Sequence, residues 1–237
     1  MEGMNLNMKD PYILEDGTLK NLLGITDYKE LKQAETDIGY AKLINAHEEV
    51  IEKCDENLLK KIHKHIFEDI FEWAGEYRTV PIEKEEIVIP MLSLQYAMPK
   101  DIPAKLEKSM NEINAYNWKK MNLEEITEKF TDCLAKIWRV HPFRDGNTRT
   151  TLAFANIFAK QHGFEMDMST MLEHLGRKID EKTGKIQRYS VRDKFVLAAL
   201  DPKDIPEPEH LRAIIKESIQ NGIDKKIEQL NQISEKK

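Results

Sequence analysis

The chain of 237 residues has only two cysteines, Cys54 and Cys133. They stand far apart and in no metal-ligand spacing, which excludes a disulfide framework and a zinc site and leaves buried thiols, as suits a reducing cytoplasm. No apolar run approaches the roughly 18 residues of a membrane span. The opening MEGMNLNMKD also lacks the apolar stretch of a secretory signal. The cytoplasm is therefore the expected address, although delivery into a host by a dedicated secretion machine would leave no signal of this kind. Positive charge is short as well: 36 Lys and Arg face 42 Asp and Glu, a net charge of -6, which argues against nucleic acid as a substrate. Neither an internal repeat nor a low-complexity segment is present.

What is there reads as one globular, mostly helical unit. Hydrophobic residues make up 41% and charged residues 33%, too apolar for disorder and typical of a protein with much exposed helix. Ile102, Leu106, Met110 and Ile113 fall at helical spacing after Asp101. Leu123, Ile126, Phe130, Leu134, Ile137 and Trp138 repeat the pattern, and Pro142 predicts that this second helix stops near His141. Thr150 to Lys160 is apolar on nearly every face, which predicts a helix surrounded by others and ended by Gly163. Leu211, Ile214, Ile215, Ile219, Ile223, Ile227 and Leu230 form one apolar stripe with a weak point at Asn221-Gly222, which predicts core packing, with a partner-binding helix as its alternative. Between Tyr77 and Pro90, TVPI and IVIP flank the charged turn EKEE. Those runs predict an exposed β-hairpin, kept from any central strand position by Pro81 and Pro90.

Between the second helix and the buried one stands HPFRDGNTRT, residues 141–150. A Gly-Asn turn leading into a helix N-terminus is a ready phosphate cradle. Arg149, in the first turn, suits a forked grip on phosphate oxygens. Asp145 is a hard oxygen ligand suited to Mg²⁺ already held by phosphates, and His141 suits the removal of a proton from a hydroxyl near neutral pH.

These residues match, at every fixed position, the signature His-Pro-Phe-x-Asp/Glu-Gly-Asn-x-Arg, and the chain thereby resembles the Fic family. Asp10-Pro11-Tyr12, Leu19 to Ile25, Ile62-His63 through Phe67, Trp73 to Glu76 and Arg78-Thr79-Val80 extend the likeness over about residues 10 to 165. The resemblance implies an all-α, Fic-type helical bundle with one short β-hairpin flap, about 77–90, beside the active site. Its domain would occupy residues 1–200, and residues 201–237 would be a helical extension packed on it.

The resemblance further implies a protein adenylyltransferase of the AMP-transferring branch, moving AMP from ATP to a Ser, Thr or Tyr hydroxyl of a target protein. His141 would be the base and Asp145 the Mg²⁺ ligand. Gly146, Asn147 and the backbone of Thr148 would form the anion hole, and Arg149 would grip the outer phosphates. Phe143 would anchor the loop in the core. Ile82 and Lys84 would pass close to the nucleotide, while Ile87, Val88 and Ile89 would add an edge strand to the target. Tyr189 lies where later family helices approach the adenine, with plain packing as its alternative.

Thr148 departs from the Gly that AMP-transferring members commonly carry and from the Lys of the phosphotransferring, Doc-like branch. It adds no cation to reorient ATP, so AMP transfer is favoured over a Doc-like phosphotransferase. A catalytically silent interaction module would need none of the four motif side chains. The family's restraining glutamate, in a Ser/Thr-x-x-x-Glu-Gly/Asn pattern, has no full match in this chain. A small antitoxin-like partner is therefore expected to supply it. The flap and the terminal helix are the segments through which a homodimer would form.

Overall fold

A computed structural model of the chain describes residues 10–49, 54–84, 86–90, 92 and 94–235. Among the described residues eight helices run in the order α1 (Tyr28–Glu49), α2 (Glu56–Phe67), α3 (Ile102–Asn114), α4 (Leu123–Val140), α5 (Asn147–His162), α6 (Met168–Leu172), α7 (Val191–Ala198) and α8 (Glu209–Glu235). Helix α5 is the hub. It packs against α1, α2 and α4, and Leu152 through Ala159 are buried without a break. That all-round burial is what an apolar helix in a globular protein requires.

Local chemistry sets the helix ends that frame the motif. Asn122 caps α4 in a reciprocal pair with Glu125, satisfying two N–H groups that the first turn leaves free. At the other end His141 takes a left-handed conformation (φ 52°, ψ 59°) and its N–H bonds back to the Trp138 carbonyl. Pro142 blocks continuation. Gly163 closes α5 at φ 89°, as the sequence predicts.

Two aromatic nests fill the core. Trp118, Phe130, Phe158 and Phe164 lock α4 to α5 through edge and stacked contacts. Phe67, Phe71, Trp73, Phe143 and His63 form the second nest, directly beneath the motif loop.

Three expectations change. Among the described residues, 77–90 contain no strand, and the small two-stranded sheet lies instead at β1 (Lys178–Ile179) and β2 (Ile186–Arg188). There Asp180 accepts from the N–H groups of Lys182 and Thr183 and turns the chain at Gly184. Glu85, within the EKEE turn, lies outside the described residues. Secondly, α8 passes through Asn221-Gly222 unbroken. Its glycine is there for close approach, because a Cβ on Gly222 would stand 2.8 Å from the Glu165 backbone. Thirdly, the stripe on α8 divides: Leu211, Ile214, Ile215 and Ile219 are buried, whereas Ile227 and Leu230 are exposed. Contacts to α4, α6 and α7 hold α8 on the bundle. Among the described residues no helix is long and apolar enough to cross a membrane.

Candidate active site

The motif loop is built from inside outwards. Phe143 is fully buried and stacks on the His63 ring at 3.9 Å between centroids. The His63 Nδ1 accepts from Gly75 N–H (2.8 Å), so its proton lies on Nε2, which donates to the Asp145 carbonyl (3.1 Å). Burial holds the His63 pKa down, to about 3. Asn147 ties the loop to itself, its Oδ1 accepting from Phe143 N–H and its Nδ2 donating to the Phe143 carbonyl. That side chain is thus consumed within the loop, and only the backbone of Asn147 is left to face an anion.

Gly146 has no substitute. Its φ is 78°, and a Cβ there would stand 2.3 Å from the Phe67 ring. Gly146→Ala should therefore destabilise the fold by about 2–4 kcal/mol, combining backbone strain with overpacking. A urea midpoint within experimental error of the native chain would contradict this.

His141 is 2% exposed. Its Nδ1 lies 3.3 Å from the Trp138 carbonyl, which only accepts, so the ring proton sits on Nδ1 and Nε2 carries a bare lone pair. Among the described residues that buried Nε2 has no hydrogen-bond partner. Burial first, then the charges of Lys84 and Arg192, holds its pKa well below the usual histidine value. An unpartnered buried acceptor is costly to keep, and a poised base is a reason to keep it.

Around His141 stand groups of mixed charge. Asp145 Oδ2 accepts from Lys32 at 2.7 Å, Lys84 Nζ is 4.0 Å from Oδ1, and Oδ1 also accepts from Gly146 N–H. Although burial opposes it, Lys84, Lys32 and Arg149 hold the Asp145 carboxyl ionised, well below the usual carboxylate range. Lys32 also donates to both oxygens of Glu35. Arg149 donates to the Glu35 carbonyl and to Glu35 Oε2, each at 2.8 Å, and lies over the Phe67 ring. Gly39, one turn on, keeps α1 clear of the guanidinium, since a Cβ would meet it at 3.0 Å. A glutamate does therefore pair with the motif arginine. Leu31 stands four residues before it and Thr36 follows it, so the spacing pattern of the family's restraint does not cover Glu35.

Two clefts flank the loop. One, of 530 Å³, is lined by Lys32, Lys84, Arg144 and Arg192 against the single acid Asp145. The other, of 710 Å³, lies between the 81–98 segment, α3 and α4 and is lined by Ile82, Lys84, Leu94, Tyr96 and Val140 among others. Lys84 thus reaches both, and Ile82 only the second. Thr148 turns its hydroxyl to Trp138, accepting from Nε1 at 3.0 Å. Tyr189 packs edge-on to His210 and is not among the residues that line either cleft.

The edge strand expected at Ile87, Val88 and Ile89 is absent. Ile89 N–H bonds to the Glu86 carbonyl and Leu92 N–H to the Ile89 carbonyl, which makes two successive turns. Ile89 is buried in the core and Ile87 is exposed. Arg78 is buried with no carboxylate beside it among the described residues, and it ties the segment to the motif through three carbonyls: Nε to His141, Nη1 to Val80 and Nη2 to Ala97.

The two buried histidines set a pH dependence. The unfolded chain takes up a proton on each near pH 6.5, and the folded chain does not until about pH 3 at His63 and far below 6.5 at His141. Between these limits the unfolded state binds the extra protons, so stability falls as pH falls. The expected slope is about 1.4 kcal/mol per pH unit for each histidine. Urea melts from pH 6 to pH 4 read it directly, and His63→Gln should remove about half of the slope. Ionised Asp145 adds loss in the same direction below about pH 4.

The fold is similar to that of solved Fic domains from Bartonella effector proteins. The structure of the BepC protein, a VirB-translocated effector of Bartonella tribocorum with bound AMPPNP, superimposes with a TM-score of 0.67 at 19% identity, covering 87% of this chain and 95% of that one. Residues 53–159 match the model of the Fic/DOC family. Protein adenylyltransferase VbhT of Bartonella schoenbuchensis is 29% identical over 167 residues, covering 70% of this chain and 33% of that protein. A protein adenylyltransferase of Bartonella henselae is 29% identical over 165 residues, 64% of this chain and 30% of its own. The chain thus spans about a third of the length of these relatives.

Proposed function

We propose that the protein is an adenylyltransferase that moves AMP from ATP to a Ser, Thr or Tyr hydroxyl of a target protein. The observation that carries this reading is the bare, buried Nε2 of His141 beside a cleft where four cations face one carboxylate. A hydroxyl brought to that lone pair gives up its proton to Nε2 while its oxygen attacks the α-phosphorus. The bond from α-phosphorus to the bridging oxygen breaks, and pyrophosphate leaves. Relatives named as protein adenylyltransferases and a fold neighbour that holds AMPPNP support the choice of ATP.

The roles follow position. The backbone N–H groups of Asn147, Thr148 and Arg149 open α5, where a helix leaves its donors unpaired and favours an anion. Arg149, held by Glu35 along one edge, meets the outer phosphates with the remaining N–H groups. Lys84 lies between the two clefts and serves the phosphates. Negative charge arriving there offsets Lys84 and Arg192, and so raises the basicity of His141 towards the working range.

Asp145 fits Mg²⁺ in donor type: it is ionised, it already attracts a cation in Lys32, and a single carboxylate suits an ion otherwise held by phosphates. Among the described residues no group of three His, Cys, Asp or Glu could hold a metal alone. When bound, the ion would neutralise phosphate charge. The chain's own residues position and deprotonate.

AMP transfer is preferred to phosphate transfer because Thr148 brings no cation and spends its hydroxyl on Trp138. The target meets the segment around 77–98, through the 710 Å³ cleft rather than through an edge strand at 87–89. With Glu35 already on Arg149, an antitoxin-like partner's glutamate would have to displace a buried one. We take residues 1–200 as the Fic unit with α8 packed on it, and the cytoplasm, where Cys54 and Cys133 stay reduced, as its place of work.

The test is parallel incubation of the protein with cell lysate, Mg²⁺ and ATP labelled on the α- or the γ-phosphate. Label on protein from α-ATP alone is expected. Label from γ-ATP alone would replace the reading with phosphate transfer.

A further inference from the structure

Resting on the nucleotide reading above, we infer that Arg192 exchanges partners between Glu86 and the phosphates of ATP, and that this exchange unlatches the flap segment from His141. Glu86 lies on that segment and is only 6% exposed. Arg192, on α7, grips it with Nη1 on Oε2 and Nη2 on Oε1, both at 2.5 Å. The third bond to the carboxylate comes from Tyr96 Oη, donating to Oε1 at 3.1 Å. The Tyr96 ring in turn stacks on His141, 4.0 Å between centroids and 26° between planes. One chain of contacts therefore runs from α7 through the flap to the base.

Each link has a physical consequence. A buried carboxylate that loses its guanidinium partner is destabilised strongly unless it reaches water. Glu86 can do so only by moving the flap with it. Tyr96 then loses its hydrogen-bond acceptor and the stack that covers the base. As the structure stands, His141 Nε2 is shut in without a partner, and a base must meet the target's hydroxyl. Arg192, meanwhile, already lines the 530 Å³ cleft beside Lys32, Lys84 and Arg144. A triphosphate there offers it paired, multiply charged oxygen acceptors of the kind the planar guanidinium group forks onto. Nucleotide thereby opens the route to the base, and the base stays covered while no nucleotide is bound.

The experiment uses the full chain, Mg²⁺ and AMPPNP, with titration calorimetry for affinity and amide exchange over 86–98 for the flap. In the native protein AMPPNP should speed flap exchange several-fold. Glu86→Gln should exchange fast without nucleotide and bind AMPPNP about threefold or more tighter, because Arg192 is released. Arg192→Gln should also exchange fast, yet bind about tenfold weaker, as loss of a charge-assisted phosphate contact implies. Tyr96→Phe keeps the stack and removes only the hydroxyl, so it should loosen the flap with full folding retained.

Opposite shifts of affinity in the two charge variants are the signature, since a purely structural pair would move both the same way. Equal-direction shifts, or flap exchange slowed by AMPPNP in the native protein, overturn the inference. If the native protein does not bind AMPPNP at all, the adenylyltransferase reading falls together with it.

Discussion

His141→Ala is expected to lower the transfer of α-label to protein by about 10² to 10⁴-fold, the usual worth of a positioned general base. AMPPNP affinity should stay within about twofold, because the phosphate contacts proposed above belong to the N-terminus of α5, Arg149 and Lys84, to none of which the imidazole donates a hydrogen bond. The split between rate and affinity is the informative part. Loss of both together would mean that the imidazole holds the loop rather than acts within it. The structure argues against that outcome. The loop is held by Asn147 on Phe143, by His63 on the Asp145 carbonyl and by Arg78 on the His141 carbonyl, and none of these bonds uses the His141 ring. Removing the ring also removes a buried acceptor without a partner, which offsets part of the lost packing on Tyr96. The variant should therefore stay folded. His141→Asn is the natural second variant, because asparagine tolerates the left-handed backbone at this position better than alanine does.

The linear parts of this design were legible in the sequence. Residues 141–150 carry the histidine, the carboxylate, the glycine turn and the arginine within ten positions, and the helices on either side announce themselves by spacing and by Pro142 and Gly163. The supporting residues were not legible, because their partners are remote in the chain. His63 reaches Asp145 across 82 residues, Arg78 reaches His141 across 63, Glu35 reaches Arg149 across 114 and Arg192 reaches Glu86 across 106. Only the fold brings them together. Glu35 was missed for a further reason: a spacing pattern finds one way of delivering a carboxylate, and α1 delivers it by another. Its motif-facing edge of Lys32, Glu35 and Gly39 has helical spacing, but two of the three are polar, so hydrophobic periodicity is blind to it.

The hairpin reading of 77–90 failed for a reason visible in retrospect. A strand would turn Ile87 and Ile89 to one face and Glu86 to the other. Here Glu86 and Ile89 both point inwards, three residues apart, and Ile87 points out. That spacing belongs to a turn. Glu86 needs Arg192, Ile89 needs the core, and the two demands together outweigh the β-propensity of IVI. Pro81 and Pro90 had already removed two donors from any ladder.

Arg78 shows how far such a segment depends on one side chain, and Arg78→Ala is expected to destabilise the fold by about 3–5 kcal/mol. Among the described residues its guanidinium is buried without a carboxylate, burial first and the neighbouring Arg144 charge second lowering its pKa to about 10. It therefore stays charged at neutral pH and is satisfied by three main-chain carbonyls. Those belong to Val80 near the start of the flap segment, Ala97 near its end and His141 in the motif. Truncation leaves three acceptors buried without donors, opens a cavity the size of the side chain and unties both ends of the flap from the base. Lysine cannot rescue it, because a single ammonium on a flexible stem does not span three divergent carbonyls as a planar fork does. Urea melts measure the loss. Amide exchange separates its causes: if Arg78 clamps the flap, exchange over 80–97 rises before global unfolding, whereas a uniform rise across α4 and α5 would show that Arg78 is only a core residue of unusual chemistry.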